Sequence, residues 1–424
     1  MIEAEPAAAP PETARRNPLW RGLIVVGLAL FLLSLVRIIT GANELTSPGT
    51  FGAMLRLAVP ILLAGLGGLW AERTGVVNIG LEGMMILGTW FGAWAGFQYG
   101  PWMGVVLGMA GGAVGGLLHA LATVTFGIDH IVSGVAINIL AAGAARFLSV
   151  IAYQDPALGG GATQSPHVEG SIGDFDLPLL AGGFGTSDVL GDIADQRIFL
   201  LSDVAAFFRG LTGDLSWLTI VAIALVAASI YVLWRTAFGL RLRSVGEHPV
   251  AAESLGVRVY TMKYIGVIVS GALAGLGGAY LVLVQARIYR EGQTGGRGFI
   301  GLAALIFGNW RPGGVAAASG LFGYSDALRL RSGAAVHDLL LFVSIVFVLA
   351  GMWYILRHRQ PGLGATLLVL SGLTLWWFLV TDTVPTEFIS FTPHLVTLLV
   401  LALAAQRLRP PAADGQPYRR GELH

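Results

Sequence analysis

Few residues in this chain have a type and spacing able to do chemistry. His119, His130, His167, His337, His358 and His394 stand singly, with no H-E-x-x-H or comparable zinc spacing. No G-x-S-x-G elbow offers a serine nucleophile. The chain has no cysteine, which excludes disulfides, iron–sulfur clusters and Cys-based zinc sites. Lys263 is its only lysine and follows no glycine-rich loop, so the G-x-x-x-x-G-K-[ST] phosphate loop of an ATPase is missing. The expectation is no catalytic set, no metal and no cofactor held by this chain; any ATP hydrolysis must come from another one.

What remains is a small set of polar side chains in apolar surroundings. Asn78 and Glu82 lie in ERTGVVNIGLEGMM (Glu72–Met85), where Gly75, Gly80 and Gly83 weaken a helix. This combination describes a discontinuous helix, tolerated at membrane depth only where it is buried in protein or lines a cavity. An acid at mid-depth costs about 2.5–3.5 kcal/mol on insertion scales, so Glu82 needs a reason to be there. Two readings are open: Asn78 and Glu82 line or gate a path, or Glu82 pairs with Arg73 or caps a helix. Asn138, deep in an otherwise apolar run opened by Asp129, needs either another helix or a solute as partner. Asp129 itself is a natural N-cap.

The elements that must position these residues are membrane helices. Of 424 residues, 55% are hydrophobic and 12% charged, against roughly 25% charged in a soluble domain. Runs near the ~20 residues that cross a ~30 Å core fall at about 22–39, 51–71, 79–98, 102–124, 131–152, 216–235, 264–285, 297–310, 313–330, 337–356, 362–380 and 391–407. The expected architecture is all-α and polytopic, with about twelve transmembrane helices. Arg15, Arg16 and Arg21 put the N-terminus in the cytoplasm. The 154–214 loop carries nine acidic residues against two basic and falls outside; the 236–263 loop, Arg357–Arg359 and the basic tail fall inside. The net charge of +1 is spread over membrane-flanking loops, so no nucleic-acid partner is expected. Gly104, Gly108, Gly112 and Gly116, like Gly271 and Gly275, recur at intervals of four, the spacing of close helix packing in lipid.

The most distinctive stretch is the polar island RTAFGLRLRSVGEHPVAAESLGVRVYTMK (Arg235–Lys263) between two apolar segments. Pro249 suits the first turn of a short helix through Ala251, Ala252, Glu253 and Ser254, and Gly256 suits its end. A simple connection would need only a few residues, so this one should dock something. Its pattern, T-x-F-G-L-x-x-R-x-x-G-E-x-P-x-A-A-x-x-x-G, resembles the cytoplasmic coupling segment of ATP-binding-cassette (ABC) permeases of the branched-chain amino acid, simple sugar and nucleoside group. ERTGVVNIGLEGMM, the Val132–Asn138 stretch and GGRGFIGLAALIFGNWRPGGV (295–315) resemble three further stretches of the nucleoside and simple-sugar branch. RPPAADGQPYRRGE (409–422) is similar to its tail. Together the likeness spans most of 51–330 and 391–422.

The resemblance implies a 10-helix permease core with N and C termini in the cytoplasm of a bacterial cell. Its divisions are a tail at 1–20, a core at 21–330, a last transmembrane helix at 391–407 and a tail at 408–424. The apolar segments at 331–390 depart from the family as an inserted two-helix hairpin. Implied partners are a second related permease chain in a heterodimer, cytoplasmic ATPase subunits holding ATP and magnesium, an extracytoplasmic solute-binding lipoprotein, and membrane lipid. Coupling to the ATPase would fall to Gly246, Glu247, Ala251, Ala252 and Gly256, and the substrate pathway to Asn78, Glu82 and Asn138. The alternatives are a proton-coupled secondary transporter using Glu82, a non-transporting scaffold or receptor, and an ABC permease for another small solute such as branched-chain amino acids.

Overall fold

The computed structural model of the protein describes residues 18–153, 159–331, 333–385 and 408–420. Its first helix, α1 (Pro18–Thr40), leads through a short turn to α2 (Pro48–Glu72). Ser47 caps α2 by accepting from the Thr50 N–H, and Pro48 occupies the first turn, where a missing N–H costs nothing. An irregular segment then leads to α3 (Leu81–Tyr99), and Gly100, at φ +92°, turns the chain into α4 (Pro101–Ala120). α5 (His130–Ala152) is capped by Asp129, whose carboxylate accepts from the Ile131 and Val132 N–H groups.

The stretch expected as a long acidic outer loop is structured. β1 (Asp174–Phe175) pairs antiparallel with β2 (Leu215–Ser216), and between them lie α6 (Val189–Asp195) and α7 (Leu201–Thr212). Asp203 of α7 is buried and ties this segment to the rest: it accepts from Ser34 and Thr46 and pairs with Arg37 of α1 at 3.0 Å. The buried charge is thus both paired and hydrogen-bonded, the condition for tolerating it.

α8 (Trp217–Arg235) descends to the polar island, which folds as α9 (Ala237–Glu247) and α10 (Pro249–Ser254). α11 (Val259–Tyr280) returns, followed by α12 (Arg297–Phe307), α13 (Pro312–Arg329), α14 (Gly333–Leu356) and α15 (Pro361–Val380). α14 and α15 pack side by side, with the Ser344 and Ser371 hydroxyls in contact at 2.9 Å.

The core is a bundle of α2, α3, α4 and α11, with α12 and α13 packed on α2. Its seam is made of glycine: Gly88 of α3, Gly108 and Gly112 of α4 and Gly271 and Gly275 of α11 lie backbone to backbone. A methyl on Gly112 would run into the Gly271 carbonyl, and one on Gly275 would lie 2.8 Å from Gly112 Cα. Helices this close gain dispersion and weak polar contacts that larger side chains would prevent.

Among the described residues, seven helices are long and apolar enough to cross a membrane: α2, α4 extended to Thr125, α5, α8, α11 extended to Ala286, α14 and α15. The span expected at 297–310 is the eleven-residue α12, about 16 Å long and so roughly half a membrane core. The span expected at 391–407 lies outside the described residues, as do the first seventeen and last four residues.

Candidate functional site

The segment between α2 and α3 is where the chain departs from helix inside the bundle. Gly75, at φ +77°, turns it, and Val76–Gly80 runs irregularly with Asn78 fully buried. A buried segment of this kind must find partners for its backbone groups. Asn78 Nδ2 donates to Ser270 Oγ of α11 at 2.8 Å, and its Oδ1 accepts from the Gly80 N–H at 3.0 Å. Asn138 Oδ1 of α5 accepts from the Gly83 N–H at 2.7 Å, and its Nδ2 donates to the Ile79 carbonyl at 3.1 Å. Gly83 permits that approach, since a methyl there would lie 2.7 Å from the Ile137 carbonyl.

Two histidines complete the clamp, and no local pattern in the sequence marked them. The Val77 carbonyl faces His119 Nε2 at 3.0 Å, so this nitrogen carries a proton; His119 Nδ1 meets Ser133 Oγ at 2.9 Å. The Val77 N–H donates to His130 Nδ1 at 3.2 Å, so that nitrogen does not.

Glu82 lies in the first turn of α3 and faces the start of α12. Its Oε1 accepts from the Gly296 N–H at 2.9 Å and its Oε2 from the Gly298 N–H at 2.7 Å. α12 is a half-helix, so its N-terminus opens inside the bundle, where its free N–H groups and positive dipole end favour a carboxylate. Glu82 is therefore the cap of a buried helix end. It is not the partner of Arg73. That guanidinium donates from Nε to the Trp310 carbonyl at 3.2 Å and pairs with Glu247 at 3.7 Å.

The second polar layer lies where α2 meets the coupling segment. Thr236 caps α9 by accepting from the Gly239 N–H at 3.1 Å. Arg73 and Arg243 each place a guanidinium over the Trp234 ring, 5.4 Å from its centroid, in a cation–π arrangement. Gly246 is buried against the Arg73–Gly75 backbone, which leaves no room for a side chain. Ala252 is also turned inward, packing with Val245, Val259 and Tyr418. Of the expected coupling residues, Glu247, Ala251 and Gly256 face out, the last at φ +83° just beyond α10. Leu255 beside them is an apolar side chain, 85% exposed, and was not singled out in the sequence analysis.

The same Glu72–Gly83 stretch joins both layers. At one end it carries Arg73 and Gly75 against α9; at the other it carries Asn78 and the Glu82 cap. Displacement of α9 therefore has a covalent route of about ten residues to the broken-helix junction. Among the described residues no group of acidic and histidine side chains could hold a metal ion.

Comparison with known proteins places this arrangement. Residues 50–349 match the model of a family described as the branched-chain amino acid transport system permease component. The chain is 34% identical to the guanosine ABC transporter permease protein NupQ of Bacillus subtilis over 377 residues, 87% of this chain and 96% of that one. It is 32% identical to the nucleoside ABC transporter permease protein NupC of Lactococcus lactis, over 86% of this chain and 95% of that one. It is 31% identical to the putative glucose ABC transporter permease protein TsgC13 of Haloferax volcanii, over 67% of this chain and 78% of that one. No solved structure is significantly similar. With a helical bundle built to span a membrane and a family match over most of its length, the chain belongs to the branched-chain amino acid transport system permease components, as a multi-pass membrane subunit of an ABC transporter rather than an enzyme.

Proposed function

We propose that this chain is the membrane-spanning permease of an ATP-driven importer for nucleosides, with simple sugars as the neighbouring solute class, in a bacterial plasma membrane. The names of the relatives matched over most of both chains support nucleosides, and the glucose permease supports sugars. Membership in the family implies a separate ATPase and a solute-binding protein in general. In this reading the ATPases, which hold Mg-ATP, dock on the outward face of α9 and α10 at Glu247, Ala251, Leu255 and Gly256. A second, related permease completes a heterodimer, and an extracytoplasmic lipoprotein delivers the solute.

The observation that carries the mechanism is the continuity of Glu72–Gly83 from the α9 contact to the Glu82 cap. Closure of the ATPases moves α9 and α10; Gly246, packed on the Arg73–Gly75 backbone, pulls that segment, and the segment shifts the junction of α3 with α12. The broken-helix residues Asn78, Glu82 and Asn138 would then border the path. Proton coupling through Glu82 is the rival. It is disfavoured because both Glu82 oxygens accept from backbone N–H groups that a protonated carboxyl would leave underpaired.

The test is uptake of labelled guanosine and glucose by cells carrying the complete system, comparing wild type with Glu247→Arg and Glu82→Gln. Uptake that requires the ATPase and collapses in Glu247→Arg supports the reading. Uptake that persists without any ATPase and dies in Glu82→Gln replaces it with the proton-coupled one.

A further inference from the structure

The segment Leu408–Arg420 lies across the coupling layer. It folds into two overlapping turns, with the Asp414 N–H on the Pro411 carbonyl and the Gln416 N–H on the Ala413 carbonyl, each at 3.2 Å. At its start the Arg409 N–H donates to Asn309 Oδ1 at 2.8 Å, in the turn between α12 and α13. The Ala412 N–H donates to Glu247 Oε2 at 3.2 Å and the Ala413 N–H to the Gly246 carbonyl at 2.9 Å, both at the end of α9. At its far end the Tyr418 hydroxyl donates to the Glu253 carboxylate of α10, which also pairs with Arg420 at 3.0 Å. The Tyr418 ring is buried with Val245, Ala252 and Val259, one residue from each of α9, α10 and α11.

The middle of the segment reaches the broken helix itself. Ala413 is wedged between α9 and the turn after α2: its N–H is on Gly246, and a methyl on Gly75 would lie 2.9 Å from its carbonyl oxygen. Two residues on, Gly415 at φ +75° brings the chain against Val77, where a methyl would lie 3.5 Å from the valine side chain. Val77 is the residue whose N–H and carbonyl meet His130 and His119. Glycine on both sides of Ala413 leaves no side chain to give way, so displacement of one neighbour is passed to the other. α10, by contrast, is a six-residue helix that packs on α9 and the start of α11. A helix this short has little stability of its own, and its position is set by what grips it.

We propose that Leu408–Arg420 is a second transmission element, which carries displacement of α10 to Gly75 and Val77 of the broken helix. Glu253 and Tyr418 are its positioning residues at the α10 end, and Ala413 is the wedge at the other. The proposal rests on the permease reading, since a docked ATPase supplies the displacement. The route runs in parallel with the direct packing of Gly246 on the Arg73–Gly75 backbone. That contact follows movement of α9, whereas Glu253 lies on α10, near the outward-facing Ala251 and Leu255. The bond from the Tyr418 hydroxyl to a carboxylate is of the stronger, charge-assisted kind. The Arg420 pair, with the arginine side chain 79% exposed, adds little. Glu253–Tyr418 is therefore the joint on which transmission depends.

The test uses the assembled transporter in lipid vesicles and reads ATP hydrolysed per labelled guanosine imported, beside hydrogen exchange of the 408–420 peptide. Glu253→Ala and Tyr418→Ala should each raise the ratio at least about fivefold, the low end of an ordinary coupling energy. The ATPase should stay bound and hydrolysing in both, and the peptide should exchange faster. Glu253→Gln keeps an oxygen for the Tyr418 hydroxyl, and its ratio should stay within about twofold of wild type. An unchanged ratio despite faster exchange overturns transmission, as does rapid exchange of this peptide in the wild type. Loss of the bound ATPase from the alanine variants also overturns it, making the segment part of the docking surface instead. Import that continues without any ATPase removes the permease reading and this proposal with it; the other outcomes leave that reading standing.

Discussion

Glu82 and Gly298 lie 216 positions apart, yet the Glu82 carboxylate accepts the Gly298 N–H at 2.7 Å and the Gly296 N–H at 2.9 Å. The acid therefore does at the half-helix α12 what Asp129 does for α5, but inside the bundle, where water cannot substitute. Glu82→Gln retains one acceptor oxygen and loses the charge facing the dipole; Glu82→Ala loses both bonds. The expected order of thermal stability in detergent is wild type, Gln, Ala, with Ala lower by about 2 kcal/mol. Guanosine uptake should follow the same order. Equal stability of all three would remove Glu82 from this role.

Asn138 offers a sharper discrimination because its two bonds run in opposite directions. Asn138→Asp still accepts from the Gly83 N–H but turns a carboxylate oxygen toward the Ile79 carbonyl, acceptor against acceptor. Asn138→Ala leaves both backbone groups unpaired. We expect about 1–2 kcal/mol lost in the alanine variant and at least as much in the aspartate one. Circular-dichroism melting of the purified chain checks it.

Much of this was legible in the sequence, for physical reasons that differ by residue. Asp129, Pro249 and Gly256 act on the backbone within a few residues of themselves, and each sits where its local rule put it. Glycines at intervals of four marked the α4–α11 seam because helix periodicity alone carries that information. The Glu82 cap could be framed only as one of two options, since the N–H groups it satisfies belong to a helix more than two hundred residues away. His119 and His130 looked scattered because their common partner, the Val77 peptide, lies in irregular backbone with no period to read. Gly246 and Ala252 are among the residues that the family resemblance assigns to ATPase coupling. In the structure the space they leave is filled by this chain itself.

The glycine seam supports a prediction with an internal control. Gly112→Ala places a methyl against the Gly271 carbonyl, and Gly275→Ala places one against the Gly112 backbone. Gly143 is also helical, in α5, but a methyl there would meet nothing within 4 Å. The first two substitutions should cost about 1–3 kcal/mol through overpacking, while Gly143→Ala should be neutral or slightly stabilising. The fraction recovered as a monodisperse species after heating separates the cases, and equal losses at all three positions would argue against a packing seam.

The coupling layer makes the last prediction, because the Arg73–Glu247 pair is too weak to be important as an ion pair. At 3.7 Å, with the Glu247 side chain 53% exposed, it contributes at most about 1 kcal/mol. Glu247→Gln keeps an oxygen to accept the Ala412 N–H, so uptake should stay within about twofold of wild type. Glu247→Arg instead sets a third guanidinium near Arg73 and Arg243, which both already lie over the Trp234 ring. That variant should lose uptake and ATPase co-purification together. Adding Arg73→Glu to Glu247→Arg should not restore either, since Arg73 also holds the Trp310 carbonyl and the Trp234 ring, and glutamate can do neither. Recovery of uptake in the charge-swapped double variant would reduce this contact to simple charge complementarity and remove Arg73 from the route between α9 and the broken helix.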